Sequence, residues 1–75
     1  MSPKRQIAKE IRMLEEEMKI LEAKRSRSQG HIIECLMSKQ EPDETEKQFF
    51  RTFSAEIEVK RERLLQLTEQ LKNML

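Results

Sequence analysis

Ser38-Lys-Gln-Glu-Pro-Asp-Glu-Thr45 is the stretch that decides the fold. Pro42 pushes Glu41 out of the helical region and cannot sit inside a regular helix. Asp43 with Glu46 three residues later reads as a capping box that opens a second helix. In the other reading, Pro42 is itself the first helical residue, with acids filling the first turn. Either way the chain divides here. The expected organisation is a frayed end over 1–5, helix 1 over 6–39, a turn over 40–44 and helix 2 over 45–75. Gly30 falls inside the first helical pattern, where it costs about 1 kcal/mol against Ala, and the helix is expected to run through it unbroken.

Working outward from the turn, each side carries a heptad. Ile7, Leu14, Leu21, Ser28 and Cys35 fall on d, and Ile11, Met18, Arg25, Ile32 and Lys39 on a. Beyond the turn, Phe50, Ile57, Leu64 and Leu71 fall on a, and Phe53, Lys60, Leu67 and Met74 on d. Spacings of three and four put each set on one stripe of a helix, which strands cannot do. Composition agrees. Of 75 residues, 39 are Ala, Glu, Lys, Leu or Arg, the profile of long helices. One Gly and two Pro leave too few turn residues for a β fold. Fifteen basic and fourteen acidic residues give a net charge of +1, so no global charge draws the chain to nucleic acid or membrane. No run is long enough to span a bilayer, and no apolar stretch follows the basic start as a signal peptide requires.

The short turn predicts an all-α fold, a two-helix antiparallel coiled-coil hairpin. With the fold point between Pro42 and Asp43, facing residues have numbers summing to 85. Cys35 then meets Phe50, Ile32 meets Phe53, and Ser28 meets Ile57. Leu21 meets Leu64, Met18 meets Leu67, Leu14 meets Leu71, and Ile11 meets Met74. Arg25 falls opposite Lys60, a polar layer that either fixes register or accepts an anion from a partner. On the flanks Glu22 lies near Arg61, His31 near Glu56, and Lys24 near Arg63.

Such a seam is thin for a stable unit, so a partner is expected. Ile33, Leu36, Met37 and Phe49 lie off the seam beside the turn and form the candidate association surface. A second copy docked there would make a four-helix assembly, most simply a homodimer. Met13 and Ile20 share an outer stripe that reads as ordinary surface, with a partner helix as the alternative. Lys24-Arg-Ser-Arg-Ser28, folded beside Lys60, Arg61 and Arg63, forms a basic waist. The aromatics then lie about 30 Å away at the tip, which speaks against single-strand nucleic acid.

Chemistry-bearing constellations are few. His31 is the sole imidazole, on a flanking position. Cys35 faces the seam as an inert thiol, and a single cysteine fits a reducing compartment, cytoplasm or nucleus. Glu15-Glu-Glu17 diverge around the helix and form no carboxylate pair. A structural zinc needs four ligands. No catalytic, cofactor or metal residues are assigned, and an enzyme is not expected. Ser2-Pro-Lys-Arg5 has the form of a proline-directed kinase site, and Arg25-x-x-Ser28 that of a basophilic one.

In outline the hairpin resembles the antiparallel coiled-coil finger of the HR1 domains of Rho effectors, over the whole chain and by shape. The resemblance implies a small GTPase, or another coiled coil, as the alternative partner. The first expectation remains a non-enzymatic, self-associating interaction module within a larger intracellular protein, and the third, after the alternative partner, is a nucleic-acid-binding hairpin acting through the basic waist.

Overall fold

The structure, a computed structural model, describes residues 2–75. It is all-helical. Helix α1 spans Pro3–Met37 and helix α2 spans Glu44–Asn73. The two pack against each other in a rod measuring 55 × 16 × 15 Å.

Local chemistry explains each helix end, and every end differs slightly from its expected place. Helix α1 begins at residue 3, so residues 2–5 are its capped first turn rather than a frayed end. Ser2 is the N-cap, with extended backbone (φ −72°, ψ 148°), and its hydroxyl accepts a hydrogen bond from the Arg5 N–H at 3.3 Å. Pro3 takes the position where a missing N–H costs nothing. Met1 lies outside the described residues. At its other end α1 stops at Met37, not at 39. Lys39 adopts φ 59°, the left-handed region. The Gln40 N–H donates to the Cys35 carbonyl at 2.9 Å and the Lys39 N–H to that of Leu36 at 3.0 Å. These two bonds make a Schellman motif, a C-terminal stop usually built on glycine. Gly30 lies within α1 without interrupting it.

Helix α2 starts at Glu44, one residue earlier than expected. Asp43 is the N-cap, and its carboxylate accepts from the Thr45 N–H at 3.4 Å. Glu44 and Glu46 place acid against the positive end of the helix dipole. Lys47 straps the turn, its ammonium donating to Glu41 at 2.9 Å and to Glu44 at 3.4 Å. Both carboxylates favour the charged amine, so the Lys47 pKa is raised above its ordinary 10.5, Glu41 contributing most. Pro42 is buried and closes the end of the seam. Helix α2 ends at Asn73 rather than at 75, where the Met74 N–H bonds back to the Leu71 carbonyl.

One stripe of each helix faces the other. Ile7, Met18, Leu21 and Ser28 of α1 are buried, as are Ile57 and Leu67 of α2. Ile11, Leu14, Arg25, Ile32 and Cys35 are half-buried, and so are Phe50, Phe53, Lys60, Leu64, Leu71 and Met74. Ile57 packs with Met18 and Leu21, flanked by Phe53 and Leu64. These contacts show that the helices run antiparallel with a register different from the expected one. Ile57 does not lie against Ser28. It lies level with Leu21, and those numbers sum to 78. Two ion pairs between the helices also lie far from 85: Glu17 with Lys60, summing to 77, and Glu10 with Arg63, summing to 73. The true register is thus one heptad from the expected 85. The reason is the Schellman motif. The chain reverses at Lys39, which is half of 78, and not between Pro42 and Asp43.

Candidate association surfaces

The register sets which groups share a level along the rod, and heptad position sets which face each occupies. On one face, Glu17 and Lys60 bridge the helices at 2.6 Å, and Glu10 and Arg63 at 3.3 Å. All four side chains are partly open to water, so each pair contributes only a fraction of a kcal/mol. Their value is in marking which residues share the face. Glu17 lines a shallow depression with Met13, and Lys60 lines one with Val59 and Ala55. Ile20 is seven residues beyond Met13 on the same stripe. Met13, Ile20 and Val59 are all exposed.

Nearer the turn the same face carries a cleft lined by Lys24, Arg27, Ser28, His31, Glu46, Phe49 and Phe53. The rings of Phe49 and Phe53 stack with centroids 6.1 Å apart and planes at 18°. The opposite face carries Glu15, Lys19 and Glu22 beside Met18 and Leu64. Ile33 and Leu36 continue that opposite stripe, each fourteen residues after Lys19 and Glu22.

Several expected groupings therefore change. Ile33, Leu36, Met37 and Phe49 are exposed but do not form one surface. Phe49 sits on the ion-paired face, and Ile33 and Leu36 on the other. Arg25 and Lys60 do not share a layer. Lys60 is level with Met18 and turns to Glu17, whereas Arg25 is level with Phe53 and joins no ion pair among the described residues. The basic waist separates into two parts. Lys60 and Arg63 lie near the acids of α1, and Arg61 bonds to Glu58 of its own helix at 2.9 Å. Lys24 and Arg27 remain with the aromatics, so the expected 30 Å separation of cations from rings does not hold. Cys35 does not face Phe50. It lies half-buried over the turn, in a cleft with His31, Ser38, Pro42 and Asp43. Ser28 is buried in the seam, so the folded hairpin withholds that hydroxyl from a kinase.

Val59, Leu65 and Leu75 are exposed apolar residues that the sequence reading passed over. Val59 had a signal, because it occupies on helix 2 the same outer heptad position that Met13 and Ile20 occupy on helix 1. Among the described residues, no three His, Cys, Asp or Glu side chains converge as a metal site would need. No helix among the described residues is long and apolar enough to cross a membrane. Comparison with protein-family models, curated proteins and solved structures finds no match for this chain.

Proposed function

We propose that this hairpin is a non-enzymatic coiled-coil interaction module that associates with itself, as a dimer of four helices. One observation carries the reading. Besides Pro42, five apolar side chains are buried in the described rod, while nine large apolar ones stand exposed: Met13, Ile20, Ile33, Leu36, Met37, Phe49, Val59, Leu65 and Leu75. A rod only two helices thick leaves every residue near water, and pairing with a second rod is the direct way to bury more of that surface. The coiled-coil description rests on the heptads of both helices and on their one-heptad-consistent register. Sedimentation equilibrium of the 75-residue chain tests the reading. A dimer mass at about 100 μM or below is expected, in the range of ordinary weak association. A monomer throughout that range overturns it.

A second reading has its own observation. Ile33, Leu36 and Met37 form an exposed apolar patch on α1 beside the turn, apart from the ion-paired face. That patch suits a different helical protein docking at the tip, the small-GTPase class included. Leu36→Glu would abolish such binding and leave the self-associated mass unchanged.

A further inference from the structure

We infer that the second copy docks on the face bearing Met13, Ile20 and Val59, with its α1 lying antiparallel across α1 and a two-fold axis passing beside Ile20. This deepens the self-association reading and rests on it.

The charge order along α1 carries the argument. Glu15, Glu16 and Glu17 precede Ile20, and Lys24, Arg25 and Arg27 follow it, with only Glu22 between as an acid. Two-fold contact requires self-complementarity: where residue i meets j, j must also meet i. Antiparallel apposition centred on Ile20 brings together residues whose numbers sum to 40. Ile20 then meets its own copy. Glu16 meets the second copy's Lys24, and Lys24 meets the second copy's Glu16. Met13 lies along the aliphatic stem of the second copy's Arg27, which can cover apolar surface while its guanidinium stays in water. Ala23 adds a small residue beside the centre.

The groups concerned are free to take part. Lys24 and Arg27 join no ion pair among the described residues. Glu16 touches only Lys19, at 3.7 Å with both side chains about three-quarters exposed. Helix α2 adds apolar surface at the right height. Val59 lies level with Ile20 in the observed register, and the depression it forms with Ala55 is almost wholly apolar. Glu56 and Lys60 flank that depression and meet their opposites across the same axis. The other possible axis, along the rod, sets Lys24 and Arg27 of both copies at one height and Glu15, Glu16 and Glu17 of both at another. Crossing the rods end to end lets opposite charges neutralise.

Charge reversal and crosslinking test the inference together. Glu16→Lys and Lys24→Glu should each weaken dimerisation about tenfold, because each change strikes two symmetric contacts. The double variant should recover to within about twofold of the parent, since the reversed pairs again match. Glu16 and Lys24 are eight residues apart on one helix, too far for an internal pair to mimic that recovery. In a Cys35→Ala background, Ile20→Cys should crosslink to its own copy through a short bis-maleimide, as a residue beside a two-fold axis must. Circular dichroism checks that these exposed substitutions leave helicity intact. Two results overturn this geometry and leave self-association standing: a dimer that ignores both charge reversals, or an Ile20→Cys chain that links only to a partner carrying Val59→Cys. A chain that stays monomeric overturns both.

Discussion

Lys47 and Arg25 show how one residue's surroundings set its behaviour. Lys47 is held by two carboxylates, and its raised pKa links the turn to pH. A folded-state pKa above the unfolded value means that the strap contributes fully below pH 10.5 and is lost as pH rises through the raised value. In a side-chain nitrogen NMR titration, the Lys47 midpoint should lie above 10.5, and Glu41→Gln should lower it. A midpoint that Glu41→Gln leaves unmoved would refute the strap. Arg25 is half-buried at the level of Phe53 and joins no ion pair among the described residues. Arg25→Leu should therefore stabilise the hairpin by about 1 kcal/mol, raising Tm by about 4–8 °C. Lys60→Leu should gain less, because it strands Glu17 without its partner. Equal gains would mean that the two cations share one environment after all. The sequence reading joined these residues because both occupy core heptad positions. It could not see that one forms an ion pair and the other does not.

At the scale of the element, two helices and the turn between them are legible in the residues themselves. Pro42, Asp43 and the change of heptad frame announce the break. The finer stop at Lys39 is not legible, since a left-handed C-terminal position normally declares itself with glycine and here a lysine carries it. Lys39→Gly should relieve that conformation and stabilise the protein by about 0.5–1 kcal/mol in chemical denaturation. Gly30→Ala should add a similar amount, because a Cβ there meets no atom within 4 Å and the position is helical. A loss of stability at Lys39→Gly would contradict the Schellman stop.

For the whole molecule, that unread lysine has a large effect. A heptad repeats every seven residues, so facing sums of 85 and 78 both align a positions with d positions. Pattern alone cannot choose between them. The turn chooses, and an error of three to four residues in the reversal point becomes one heptad of slip. Crosslinking can measure the slip. With Cys35 replaced by Ala, cysteines at Leu21 and Ile57 should form an intrachain disulfide under mild oxidation, whereas cysteines at Ser28 and Ile57 should not. The reverse outcome would restore the expected register. The slip brought the aromatics beside Lys24 and Arg27, whereas Phe49 and the pair Ile33 and Leu36 hold opposite flanking heptad positions in either register, so the surface was less legible than the fold.

The six-residue turn between Met37 and Glu44 has a kinetic consequence. Contacts near it close short loops, and contacts near the chain ends close long ones, with a closure cost that grows with loop length. Assembly should begin where Cys35 covers Pro42 and spread away from the tip like a zip. Substitutions near the turn, such as Phe53→Leu, should mainly slow folding. Substitutions at the far end, such as Leu71→Ala, should mainly speed unfolding. Stopped-flow or temperature-jump chevrons would show this as high φ-values near Phe53 and low ones near Leu71. A uniform set of values along the rod would mean that the two helices meet all at once.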